Sequence, residues 1–295
     1  MNLVTYLRLI NTRNIHLSSG RKWRLIDSGY CDAYSNMALD EALLLAGIEE
    51  HSPPCLRLYG WKPAAVSIGY AQDITRGVNF PACQRRGLML VRRPTGGRGV
   101  FHQQELTYSV TAPESFFPNT GLIATYREIS RALIAGLYNL GIRSDPAIPK
   151  NGQSIEARNK SSACFMSSSW YEITVKGKKL IGSAQRRLKS HILQQGSILL
   201  AVDHMTITDL FANGDTQVAE RVQQARQRIT SLAELLEPPV KIEQLKQAVL
   251  QGFRQGLDIE FIKSDLSAYE RTLAHRLYTH KYSTSIWNFE RGEVR

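Results

Sequence analysis

Apolar positions begin to recur regularly at Trp23, and from there the chain reads as mixed helix and strand with short connections. Ser35 or Asn36 is placed to cap a helix whose apolar face is Leu39, Ala42, Leu43 and Ala46, with Asp40 and Glu41 near its positive end. Strand patterns follow at 56–59, 66–70, 88–92 and 106–110, most with partial alternation. Ile123, Tyr126, Ile129, Leu133, Leu137 and Leu140 then recur at helical spacing, and Gly141 is placed to stop that helix. Tyr171, Ile173 and Val175 alternate into Lys176-Gly177, and a second apolar run opens at Leu180. This is a hairpin pattern, and a two-residue turn sets Lys179 opposite Thr174. Residues 192–200 supply another strand. Beyond about residue 203 the strand signals fade. Ile242, Leu245, Val249 and Phe253 mark one helical face, and Ser267 with Glu270 forms a capping box ahead of Leu273 and Leu277. Strands gathered between 56 and 200, with helices on both sides, predict an α+β fold rather than alternating βαβ units.

Composition narrows the class. A chain of 295 residues is long enough for one large domain or two ordinary ones. No run approaches the ~18 consecutive apolar residues of a membrane-spanning helix. The first twenty residues carry two arginines and no acid, and Arg8, Asn11, Arg13 and Asn14 interrupt any apolar core of a secretion signal. The four cysteines at 31, 55, 83 and 164 form no CxxC pair, and the seven histidines show no ligand spacing. Neither a disulfide framework nor a metal site is expected, and a reducing cytoplasm is the simplest setting. With 37 Lys and Arg against 26 Asp and Glu, the net charge of +11 suits a polyanionic partner. Nucleic acid is disfavoured, because aromatic residues are not interleaved with the basic ones.

Two local constellations could carry chemistry. In the first, Arg92-Arg93-Pro94-Thr95-Gly96-Gly97-Arg98-Gly99 follows a strand, with His102 just beyond. Glycines let the backbone approach a ligand closely, and the flanking arginines favour an anionic group there. A Gly-Gly pair alone would read as a tight turn with solvated arginines. His102 by itself reads as a structural hydrogen-bonding residue. In the second, Ser161-Ser162-Ala163-Cys164 leads through the hairpin to Lys178-Lys179-Leu180-Ile181-Gly182-Ser183-Ala184. Cys164 is the best nucleophile candidate in the chain. A thiol of ordinary pKa, about 8.5, is only slightly ionised at neutral pH, so a nearby cation must assist it. Hairpin spacing does not itself bring Lys179 to Cys164. Cys55 and Cys83 read as inert buried thiols.

At these residues the chain resembles the lipoate–protein ligase and octanoyltransferase family, which shares its fold with biotin–protein ligases. The likeness rests on residues 23–29 (WRLIDSG), 36–44 (NMALDEALL), 56–70 (LRLYGWKPAAVSIGY) and 91–110 (VRRPTGGRGVFHQQELTYSV), and on 164–200. Within the family the octanoyltransferases are the most similar. The resemblance implies a mixed, largely antiparallel sheet flanked by helices, with an acyl chain in a tunnel beneath the Gly-rich loop. It implies a catalytic domain over 21–262, a tail over 1–20 and a helical extension over 263–295 packed on the same domain. It also implies octanoyl transfer from acyl carrier protein to a lysine of a lipoyl domain, such as the glycine-cleavage H protein or a 2-oxoacid dehydrogenase acyltransferase subunit. In these terms Cys164 is the nucleophile and Lys179 the residue that lowers its pKa. Arg93, Thr95, Gly96, Gly97, Arg98, His102, Gly182, Ser183 and Ala184 become the substrate-binding set, and the oxyanion falls to backbone N–H groups near Gly182 or Gly96–Gly97. Neither metal nor cofactor is required, and a monomer is expected. The rival readings are an ATP-dependent lipoate–protein ligase and an amidotransferase that moves octanoyl groups between lipoyl proteins. Both proposed protein substrates are acidic, so the basic cluster of Arg85, Arg86, Arg92, Arg93, Arg98, Lys176, Lys178, Lys179, Arg186, Arg187 and Lys189 is expected to steer a protein rather than nucleic acid.

Overall fold

Asp32 starts the first helix. Its Oδ1 accepts the backbone N–H groups of Tyr34 and Ser35 at 2.9 and 3.0 Å, and its Oδ2 accepts the Ser35 hydroxyl. Helix α1 therefore runs over Ala33–Glu50, with Ser35 and Asn36 inside its first turn rather than capping it. Asp40 and Glu41 are buried within α1, so they face protein and not solvent.

The computed structural model describes residues 21–74, 77–117, 121–146, 172–211 and 218–290. Among these, strands β1 (Arg21–Cys31), β2 (Cys55–Trp61), β3 (Ala65–Ile68), β4 (Met89–Arg92), β5 (Val100–His102) and β6 (Glu105–Pro113) precede the hairpin region. They are followed by β7 (Asp145–Pro146), β8 (Ile173–Val175), β9 (Lys178–Leu188), β10 (His191–Leu199) and β11 (Ile259–Lys263). Two sheets result, one of eight strands in the order β11-β1-β2-β6-β10-β9-β8-β7 and one of three in the order β4-β3-β5. The large sheet is antiparallel except at its first two pairings, β11 with β1 and β1 with β2. The mixed, largely antiparallel α+β architecture is thus the expected one, but β1 and β11 correct the picture of strands confined to 56–200. Both are interrupted by polar residues. In β1, Arg24 is held by Ser264 and by the Glu270 carboxylate, contacts supplied by the far end of the chain.

The hairpin forms as its spacing predicts. Lys176 and Gly177 take φ of 50° and 76°, and Thr174 stands opposite Lys179. The remaining helices are α2 (Phe80–Arg85), α3 (Leu122–Asn139), α4 (His204–Leu210), α5 (Val218–Arg228), α6 (Leu232–Leu235), α7 (Ile242–Leu257) and α8 (Ala268–Leu277). One face of the large sheet, including Leu56, Leu58, Leu106 and Val110, packs against Ile129, Leu133 and Leu137 of α3 and Leu245, Val249 and Phe253 of α7. Each such buried Leu or Phe contributes about 1.5–3 kcal/mol. The opposite face carries α1 and the small sheet. The chamber described next lies there.

Candidate active site

Strand register builds the chamber. Gly182 of β9 stands opposite Ser197 of β10, Ser197 opposite Thr107 of β6, and Thr107 opposite Tyr59 of β2. All four residues line one pocket, so its floor is a single row crossing four strands. Three interstrand steps make that row about 14 Å long. Ser67 of β3, Val100 and His102 of β5, and Arg93 close the pocket from the small sheet, and Met37 of α1 closes one side. Exposure grades along the row. Gly182, Ser183 and Ala184 are partly exposed, whereas Tyr59, Trp61, His102 and Thr107 are buried. The chamber opens beside β9 and ends at the Trp61 indole, which stacks on the His102 ring at 3.8 Å and 12°.

Many of the lining residues are polar, yet the chamber offers an apolar surface. Two buried carboxylates explain this. Glu105 Oε1 accepts the Thr107 and Ser197 hydroxyls and lies 2.8 Å from His102 Nδ1. Thr107 Oγ1 in turn accepts Trp61 Nε1, and His102 Nε2 pairs with Ser67 Oγ at 2.7 Å. Asp40, on α1, accepts Tyr59 OH and Gln195 Nε2 on Oδ2, and Ser109 Oγ and Arg57 Nη1 on Oδ1. Hydroxyl, amide, imidazole and indole groups are thereby bonded to the protein itself. A guest in this space meets few groups that still need a partner, which suits a hydrocarbon chain.

The Gly-rich loop roofs the open end. Gly97 takes a φ of 93°, open to glycine, and Gly69 has no room for a side chain because the Gly97 carbonyl lies against it. Thr95 Oγ1 donates to Gln195 Oε1 at 2.8 Å. The two arginines before the loop do not present themselves to an anion, contrary to the expectation from their charge. Arg93 donates to the carbonyls of Gly96 and Arg98 and to Ser67 Oγ. Arg92, 1% exposed, donates to the carbonyls of Gly69, Tyr70 and Gln72 on one side and Trp287 and Asn288 on the other. Guanidinium groups are good hosts for converging carbonyls when buried, and here they shape the loop.

Of the substrate-binding set, Arg93, His102, Gly182, Ser183 and Ala184 line the chamber. Thr95 reaches it through Gln195, and Gly96, Gly97 and Arg98 form the loop above. Lys179 is 3% exposed, and its ammonium donates to the Glu172 carboxylate. It lies three residues before Gly182 on β9, whose 182–188 stretch has only β10 as a strand partner among the described residues. Cys164 lies outside the described residues. Burial pushes the Cys55 thiol up to about 12 and the Cys83 thiol up to about 11, so neither is a nucleophile at neutral pH. Sequence reasoning missed Asp40, Glu105, Gln195, Ser67, Tyr59 and Trp61. For Asp40 in NMALDEALL and Gln195 in ILQQGSILL the signal was present as a polar residue inside an apolar run, as it was for Arg57 in LRLYGW, which pairs with Asp40. Among the described residues, no group of three or more His, Cys, Asp or Glu side chains could hold a metal ion. No helix there is long and apolar enough to cross a membrane.

Comparison with known proteins decides the family. Residues 32–254 match the lipoyl protein ligase A/B catalytic domain. The chain belongs to that family. It is 43% identical over 274 residues to octanoyltransferase LipM of Bacillus subtilis, covering 91% of this chain and 98% of the relative. It is 44% identical over 274 residues to octanoyltransferase LipM of Geobacillus kaustophilus, with the same coverage. A bi-partite lipoate protein ligase of Thermoplasma acidophilum has the same fold, with a TM-score of 0.77 at 23% identity over 94% of this chain and 98% of that one. In this member of the lipoyl protein ligase A/B family, the matched span holds α1, the chamber and the Gly-rich loop. Strand β1 lies before it, and the Trp287–Asn288 segment that grips Arg92 lies beyond it.

Proposed function

We propose that this protein moves an octanoyl group from the thioester of an acyl carrier protein to a lysine of a lipoyl domain, through a thioester on Cys164. The chain is an acyltransferase, an octanoyltransferase of protein lipoylation. The observation that carries this reading is the chamber whose polar lining is already hydrogen-bonded to Asp40 and Glu105, leaving space fit for an alkyl chain. Cys164 as nucleophile, the carrier-protein donor and a cytoplasmic monomer complete the proposal. The 268–290 segment packs on α1 and on Arg92, which supports treating it as an extension of the catalytic domain.

In the first half-reaction the Cys164 thiolate attacks the donor carbonyl, and the carbon–sulfur bond to the carrier breaks, releasing the carrier as a thiolate that takes up the proton Cys164 gave up. Lys179, as a buried ammonium, favours the thiolate over the thiol. In the second, the acceptor lysine attacks as the neutral amine, the bond to Cys164 sulfur breaks, and an amide forms with loss of the amine proton. Thioester exchange is nearly balanced in energy and amide formation runs downhill, so the protein supplies position and an ionised nucleophile.

The test is transfer to a lipoyl domain with no nucleotide present. Octanoyl carrier protein should octanoylate the acceptor, and Cys164→Ala should abolish the product. Product formed only from free octanoate and ATP would replace this reading with a ligase. Product formed only from an octanoylated lipoyl protein would replace it with an amidotransferase.

A further inference from the structure

Gln195 lines the acyl chamber, but its second hydrogen bond, to Thr95, reaches out of the chamber to the Gly-rich loop. On β10 it stands opposite Ala184, at the open end of the chamber. Its Nε2 donates to Asp40 Oδ2 at 2.6 Å, and its Oε1 accepts the Thr95 hydroxyl at 2.8 Å. A carboxylate accepts only, so the amide has one orientation: nitrogen toward Asp40, oxygen toward the loop. Asp40 is fixed in turn by Arg57, whose Nη2 also donates to Asn36 Oδ1. All of these side chains are buried. A chain of defined polarity therefore runs from Arg57 through Asp40 and Gln195 to Thr95.

Thr95 immediately precedes the two glycines of the loop. Among the described residues the Gly96 and Gly97 N–H groups have no acceptor, while the Gly96 carbonyl is held by Arg93. Gly97 lies over Ala184, since a side-chain carbon added there would sit 3.9 Å from the Ala184 methyl. Gly97 is thus set beside the chamber mouth at Ala184, the two loop N–H groups have no acceptor there, and Thr95 tethers the loop to the strands. Resting on the octanoyl-transfer reading, we infer that Gln195, oriented by Asp40, is a positioning residue: it sets the height of the Gly96–Gly97 amides so that they meet the oxyanion that forms on the acyl carbonyl. Donors fixed before reaction stabilise such an oxyanion far better than mobile ones.

The test compares Thr95→Val, which keeps the shape but loses the donor, with Thr95→Ser, which keeps the donor, and with Gln195→Met. Thr95→Val should lower kcat about tenfold or more while KM for the octanoyl donor stays within about twofold. Thr95→Ser should restore most of that rate. Combining Thr95→Val with Gln195→Met should cost little more than either alone, because both break one chain. Amide hydrogen exchange over residues 93–99, read in the same variants, should quicken in Thr95→Val and Gln195→Met and not in Thr95→Ser. Wild-type exchange in Thr95→Val, or equal loss in the Ser and Val variants, would overturn the inference. If the wild type transfers no octanoyl group, the functional reading falls, and the exchange measurement alone decides whether the tether holds the loop.

Discussion

Asp40 and Arg57 are both fully buried, 2.7 Å apart, with Tyr59, Ser109, Asn36 and Gln195 completing their hydrogen bonds. A buried pair of this kind adds little net stability over an apolar core, but removing one partner leaves the other charged and unsolvated. Arg57→Ala should therefore cost about 3–5 kcal/mol in denaturant unfolding, far beyond the loss of its stacking on the Tyr59 ring. Thiol reactivity offers a second check at this scale. With burial holding Cys55 near 12 and Cys83 near 11, brief iodoacetamide treatment of the folded protein at pH 8 should leave both unmodified and label Cys164. Prominent labelling of Cys55 in the native state would contradict its burial. Cys164 and the Gly-rich loop stand out in sequence because their residue types are chemically conspicuous, whereas Lys179 is marked only by the family resemblance. Asp40, Glu105 and Gln195 do not, because what matters about them is which distant groups they bond. The arginines mislead for a related reason: charge is legible in sequence, but the carbonyls that claim Arg92 and Arg93 come from residues as far away as Trp287.

Elements whose stability is local are those that pattern reveals. The capping box at Ser267 and Glu270 forms, the Lys176-Gly177 turn sets the hairpin register, and Gly141 ends α3 with a φ of 79°. Strands β1 and β11 depend on each other and on β2 for their pairing, so their sequences alone carry little of the signal. The α8 cap also fastens β1. Burial alone would raise the Glu270 carboxyl, but hydrogen bonds from Arg24 and from the Ser267 backbone hold it below the ordinary carboxylate range. A carboxyl lowered on folding contributes stability that is complete above its unfolded pKa, about 4.3, and is lost as pH falls through the folded value. Glu270→Gln should thus destabilise at pH 7, and the gap to wild type should shrink as the pH drops below about 4. A gap that stayed constant down to pH 2.5 would show that the Glu270 charge contributes nothing.

At the scale of the molecule, several members of the basic cluster are already engaged with carboxylates or buried, although the net charge of +11 is unchanged by such pairing. Arg186 pairs with Glu41, Arg187 with Glu114, Arg86 with Asp209 and Lys179 with Glu172, while Arg92 and Arg93 are buried. The basic cluster expected to guide an acidic protein therefore contracts: Arg92, Arg93 and Lys179 are buried, Arg85, Arg86, Lys176 and Lys189 stay exposed, and Arg98, Lys178, Arg186 and Arg187 are partly so. Reversing Lys176 and Lys189 to Glu should lower kcat/KM for the carrier-protein donor several-fold at low salt, and the difference should fade as ionic strength rises. Equal activity at every salt concentration would remove these lysines from donor recognition. The broader architecture joins remote parts of the chain: β2, β6, β10 and β9 supply the chamber floor, the small sheet closes it, and the C-terminal segment grips Arg92 before the loop. The most direct test is to incubate the protein with octanoyl carrier protein, without nucleotide or acceptor, and to map the adduct by peptide mass spectrometry. A hydroxylamine-labile octanoyl group on Cys164, absent from Cys164→Ala, is the predicted result; an unmodified protein, or an adduct that forms equally well in Cys164→Ala, would contradict it.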